Sequence, residues 1–124
     1  MASVEVSLKE MMTAVEGALG AAVVDYTSGM ALGTLGGSRD LDLTVASAGN
    51  TDVIRAKVRT MEQLGLKSRI EDFLITLESQ YHLIRLASSR SGNGLFLYLV
   101  LDKDRSNLAM ARHQLRRVEE ELEV

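Results

Sequence analysis

Only two histidines occur in the 124-residue chain, and each stands alone. A transition-metal site needs several nitrogen or thiolate donors at fixed spacing. His82 lies in a strand-like pattern, His113 lies on the polar side of a helical one, and there is no cysteine to complete a set. Both histidines read as surface or packing residues. Serine nucleophiles need an elbow such as Gly-x-Ser-x-Gly and a histidine base in a recognisable order, and the sequence offers neither. The run Gly33-Thr34-Leu35-Gly36-Gly37-Ser38 lacks the lysine of a phosphate loop, and Ser91-Gly92-Asn93-Gly94 precedes a strand where a dinucleotide fingerprint must open a helix. Both read as hairpin turns. Glu71 and Asp72 are adjacent, so on a strand they point to opposite faces and cannot easily share acid and base roles. Arg39, Arg85 or Arg90 could act on a partner's phosphoryl group by supplying charge in trans. The expectation is therefore no catalytic residue, no metal, no cofactor, and a protein that is not an enzyme.

Composition narrows the partners. A formal net charge of −3 and a pI near 5.4 argue against general attraction to nucleic acid or anionic lipid. No run approaches the roughly 18 apolar residues of a membrane span, so membrane insertion is not expected. No basic leader with a cleavage site is visible, and the lack of cysteine fits a reducing compartment, so a soluble, cytoplasmic protein is expected. At 124 residues and 46% apolar, the chain fits one domain, residues 1–124, with a substantial core.

Ser7-Leu8-Lys9-Glu10 has capping-box spacing, which makes Ser7 the expected N-cap of a first helix, with Val6 and Met11 as its apolar staple. Leu8, Met11, Met12, Val15 and Leu19 would form the buried stripe. Gly17 and Gly20 weaken the helix, and residues 21–25 are apolar on both strand faces. Residues 26–29 form a turn, residues 30–35 the returning strand, and Asp40 or Asp42 caps a second helix that runs to about Leu64 and ends at Gly65. Three strand-like runs follow, at 73–77, 81–87 and 95–101, the last two joined by a turn at residues 90–94. Their gaps are too short for parallel crossovers, so they must pair antiparallel. Residues 95–101 are apolar on both faces, as are residues 21–25, so helices must cover both sides of the sheet. A closing helix from Asn107 carries Leu108, Ala111, Leu115, Val118 and Leu122 inward. Arg116, Arg117, Glu119, Glu120 and Glu121 form its charged outer surface, with Arg116–Glu120 and Arg117–Glu121 at i,i+4 spacing.

The second helix carries two rows that call for burial. Leu43, Ile54, Val58, Met61 and Leu64 form one, while Ala46, Gly49, Val53, Ala56 and Thr60 form a seam of small or β-branched residues along which backbones can approach. One row can face the sheet and the other a partner. From the residues alone, packing of the seam on the domain's own sheet and packing on another molecule remain equal alternatives.

The hairpin Ala22-Val23-Val24-Asp25-Tyr26-Thr27-Ser28-Gly29-Met30-Ala31-Leu32 and the closing stretch from Leu99 to Arg112, with Asn107-Leu108-Ala109 opening the helix, resemble the Roadblock/LC7 family over nearly the whole chain. The resemblance implies an α+β fold, a profilin-like or longin-like α/β/α sandwich of topology α-β-β-α-β-β-β-α. Its five-stranded antiparallel sheet would have the order 2-1-5-4-3. It also implies a homodimer built on the second helix and third strand, here Ala46, Gly49, Val53, Ala56 and Thr60 with Phe73 and Ile75. The family's role is that of a companion or regulator of Ras-like small GTPases, bacterial examples being gliding-motility regulators and members of actinobacterial GTPase operons. The expected function is thus a non-enzymatic dimeric scaffold or regulator that biases a GTPase's nucleotide state. The alternative is a small-molecule-sensing signalling module, which would need polar groups converging on a pocket beside the sheet.

Overall fold

The computed structural model describes residues 2–87 and 94–123. The order is α1 (Val4–Ala14), β1 (Ala18–Asp25), β2 (Ala31–Gly36), α2 (Leu43–Leu64), β3 (Phe73–Thr76), β4 (Gln80–Leu86), β5 (Leu95–Asp102), a 3-10 turn (Lys103–Arg105) and α3 (Leu108–Glu121). All four strand pairings are antiparallel, and the sheet runs β2-β1-β5-β4-β3, the order that the resemblance to the Roadblock/LC7 family implies. The turn expected at residues 90–94 lies, but for Gly94, outside the described residues.

The two doubly apolar strands sit side by side at the middle. Alternate residues of β1 and β5 feed two separate cores. Ala21, Val23, Leu97, Leu99 and Leu101 pack with Leu8, Met11 and Val15 of the α1 segment and with Ala111, Leu115, Val118 and Leu122 of the α3 segment. Ala22, Val24, Phe96, Tyr98 and Val100 pack with Leu43 and Ile54 of α2. Each fully buried apolar side chain contributes about 1.5–3 kcal/mol, so a helix missing from either face would leave several exposed at once. The chain's two ends meet beside α1 and α3, where the Ala2 amide donates to Glu121 O at 2.6 Å and the Glu123 amide donates to Ala2 O at 2.7 Å.

Two local expectations are corrected. The first helix starts a turn earlier than its capping-box spacing indicates. Ser3 is the N-cap, its hydroxyl accepting from the Val6 amide at 3.2 Å, and Ser7 lies inside the helix, fully buried. Two serines four residues apart offer the same cap chemistry, and the earlier one adds a turn while Leu8 and Met11 stay inward. The helix then stops at Ala14. Gly17 adopts φ +82°, a conformation that favours glycine, and Leu19 passes into β1 and packs on the α2 side instead of extending the α1 stripe. At the other boundaries sequence and structure agree. Asp42 caps α2 by accepting from the Thr44 and Val45 amides at 3.0 and 3.1 Å, and Gly65 closes it in the left-handed region.

The Ser7 hydroxyl makes no hydrogen bond among the described residues. A buried, unpartnered hydroxyl costs about 1–3 kcal/mol of desolvation. Ser7→Ala should therefore leave stability unchanged or raise it, whereas Ser3→Ala should lower it by about 0.5–2 kcal/mol. Urea unfolding of the two variants checks this, and a Ser7→Ala loss larger than the Ser3→Ala loss would contradict it.

Candidate functional site

Helix α2 lies over β1 and β2 on one face of the sheet and is two-sided. Leu43, Ser47, Thr51 and Ile54 are buried beneath it, with Val58 and Met61 half-buried along the same row. The inward hydroxyls are satisfied within the helix, Ser47 donating to Leu43 O at 2.6 Å and Thr51 to Ser47 O at 2.8 Å. Such short side chains let the helix lie close to its neighbours. The β1–β2 turn nestles there, with Gly29 against Thr51 and Ala48. Arg55 locks the turn by donating to Tyr26 O at 3.1 Å and Thr27 O at 2.8 Å, its guanidinium 5.8 Å above the Tyr26 ring.

Of the sequence-predicted seam, Ala46 is half-buried in the sheet-facing core, while Gly49, Val53, Ala56 and Thr60 all lie on the outer surface. Val53 is 41% exposed, and a Cβ built on Gly49 would meet nothing within 4 Å. Of the second row, Leu64 also faces outward. Phe73 and Ile75 lie on β3, opposite Ile84 and His82 of β4. Phe73 packs against the α2-side core, and Ile75 is 37% exposed beside it. Strand β3 is an edge strand. Because Leu77 donates to Gln80 O across the β3–β4 hairpin, alternation turns the backbone groups of Leu74 and Thr76 away from β4, toward the open edge.

On this same face a polar chain runs through the sheet. The Tyr98 hydroxyl lies 2.8 Å from His82 Nδ1, and His82 Nε2 lies 2.9 Å from Gln80 Oε1. The amide oxygen of Gln80 can only accept, so Nε2 carries the proton and Nδ1 accepts from the tyrosine. Both rings prefer to be neutral. Burial holds the His82 pKa below its usual value, and burial raises that of Tyr98.

Charged residues that read as solvated are partly structural. Glu119, expected on the outer surface of α3, is 3% exposed and its Oε1 lies 3.4 Å from Arg85 Nε. Asp72 accepts twice from Arg112, at 3.1 and 3.2 Å. These pairs tie α3 to β4 and to the approach of β3. Arg85 is thereby committed to the fold and is not presented for use in trans; Arg39 is exposed, and Arg90 lies outside the described residues. A cavity of about 470 Å³ opens between the end of α2, the segment leading to β3 and the end of β4. Val58, Met61, Leu66, Ile70 and Leu86 give it an apolar lining, and Arg85, among its polar residues, is the one paired with Glu119. Among the described residues no cluster of metal-ligating side chains occurs, and no helix is long and apolar enough to cross a membrane.

The chain matches no protein-family model and no curated protein. Solved structures do match. A Roadblock/LC7 domain from Streptomyces avermitilis superposes with a TM-score of 0.79 at 12% identity, covering 95% of this chain and 92% of that one. The chain has the Roadblock/LC7 fold. The gliding protein MglB from Thermus thermophilus gives a TM-score of 0.75 at 19% identity, over 92% of this chain and 81% of its own. MglC from Myxococcus xanthus gives 0.58 at 25% identity, over 93% and 92%. Five strands in the same order support this likeness with little shared sequence, because the burial pattern tolerates many apolar substitutions.

The neutral His82 has a pH consequence. Its folded pKa lies below the ordinary 6.5, so as pH falls through 6.5 the unfolded chain takes up the proton first and stability is lost. Above that value the contribution is fully present. Denaturant unfolding should show lower stability at pH 5.5 than at pH 7.5, with a smaller drop in His82→Gln. An equal drop in both proteins would contradict this reading.

Proposed function

We propose that this protein is a non-enzymatic homodimeric scaffold or regulator that binds a Ras-like small GTPase and biases its nucleotide state. The observation that carries the reading is the two-sidedness of α2. One row is used up by the sheet, the other, Gly49, Val53, Ala56 and Thr60, faces outward as a smooth strip, and β3 leaves an open edge at one end of the sheet. A two-fold contact is self-complementary, so a strip of small residues near the axis lets two copies of α2 approach backbone to backbone, with the β3 edges extending the sheet. Phe73 and Ile75 complete that surface from the strand side. The Roadblock/LC7 fold supports the regulatory assignment, and the likeness to gliding proteins supports a signalling role. The cytoplasm is the proposed compartment, where such a partner would be found.

Gly49→Leu separates assembly from folding. A leucine there meets no neighbour within the chain and replaces glycine in a helix interior, so the monomer should gain about 0.5–1 kcal/mol. The dimer should nevertheless dissociate, at least tenfold more weakly associated in sedimentation equilibrium. An unchanged dimer would move the interface elsewhere.

Regulation demands a difference in affinity, since equal binding to two states shifts neither. Calorimetry with a cognate Ras-like GTPase loaded with GDP or with a non-hydrolysable GTP analogue should show at least a tenfold preference for one form. Equal binding would leave a scaffold without the bias. No binding to either form would remove the assignment.

A further inference from the structure

The α2 side of the sheet is covered unevenly. Helix α2 lies over β1 and β2, so the part of that face formed by β4 and β3 extends beyond it. His82 stands there, half-buried, directly opposite Ile75 of the β3 edge strand and on the face that also carries Ile84 and Phe73. A body that touches both the outer strip of α2 and the β3 edge must span the ground between them. His82 lies on that ground.

The ring is held neutral at both nitrogens. Nε2 donates to the Gln80 amide oxygen at 2.9 Å, and Nδ1 accepts from the Tyr98 hydroxyl at 2.8 Å. A proton on Nδ1 makes both nitrogens donors, so the hydroxyl loses its acceptor and must turn its own proton elsewhere. The surroundings do not offset this. Strand β4 supplies Gln80, β5 supplies Tyr98 and β3 supplies Ile75, none of them charged at neutral pH. From α2, Asn50 faces the same hydroxyl, and the charged residue on that side of the helix is Lys57, about two turns along. Burial, with no carboxylate beside it, weakens the ring's hold on a proton.

We propose that His82 is a proton-operated release for association: a second copy seated across α2 and β3 requires the neutral ring, and protonation of His82 drives the copies apart. This rests on the dimer proposed above. The second copy takes away the ring's remaining access to water, and the flanks of its strip bring Asp52 together with Lys57 and Arg59, an excess of cations that disfavours an imidazolium as burial does. Two-fold symmetry doubles the effect, because each copy presents one His82. The sequence also isolates it. The other histidine, His113, is exposed on α3, which packs on the opposite face, and carboxylates titrate at lower pH.

Association and proton loss are linked, so His82 must bind its proton more weakly in the dimer than in the single chain. In sedimentation equilibrium the dissociation constant should be at least about fivefold larger at pH 5.5 than at pH 7.5. His82→Gln should flatten that dependence, and His113→Gln should leave it in place. An NMR titration of the imidazoles reads the same link with the ring intact: His82 in the wild-type dimer should titrate at least about one pH unit below His82 in Gly49→Leu. A dimer equally strong at both pH values, a pH dependence that survives in His82→Gln, or equal His82 titration in the two proteins overturns the release and leaves the dimer standing. A chain that sediments as a monomer at pH 7.5 at every concentration removes the dimer and the release with it.

Discussion

Strand β5 constrains everything around it, because Leu95 through Leu101 are buried without a break and so neither of its faces can meet water. A strand of this kind must lie inside a sheet and beneath a layer on each side. Antiparallel neighbours β1 and β4 close its edges, α2 covers one face, and α1 with α3 covers the other. The magnitudes fix the hierarchy. Truncating one such leucine to alanine costs about 2–5 kcal/mol, more than a helix cap at about 0.5–2 kcal/mol. Burial of Leu8 and Met11 in the core shared with β1 and α3 therefore decides where α1 lies, and the cap adapts to it.

The same hierarchy explains which features were legible in the residues. Strands β1 and β5 announced themselves by being apolar at consecutive positions, and Asp42 and Gly65 marked the ends of α2 because nothing nearby competed for either role. The first helix was ambiguous in a physical sense, since Ser3 and Ser7 can each cap and only the docked geometry chooses between them. Glu119 was hidden by its company. Set among Arg116, Arg117, Glu120 and Glu121 it reads as solvated, yet it sits one turn beyond Leu115 and beside Val118, at the border of the buried stripe. Its partner carried the complementary signal, since Arg85 shares a strand face with the buried Leu83 and Ala87. A charge in an apolar row calls for an opposite charge on the covering helix.

The outward row of α2 was legible as a pattern but not as an assignment. Small residues at alternating spacings of three and four suit either the domain's own sheet or another molecule, and the residues favour neither. The fold separates them, because the bulkier Leu43, Ile54, Val58 and Met61 row takes the sheet and leaves Gly49, Val53, Ala56 and Thr60 outside. Only Ala46 belongs to both surfaces. The sequence therefore encodes a helix whose inner row is consumed by folding and whose outer row stays exposed.

Amide hydrogen exchange at the β3 edge tests that division most directly. The N–H groups of Leu74 and Thr76 point away from β4 and should exchange quickly at concentrations where sedimentation gives the mass of one chain. If β3 and the outer row of α2 form the contact, both amides should become protected at concentrations where the mass doubles. Doubling of the mass with Leu74 and Thr76 still exchanging at their dilute rates would contradict the account.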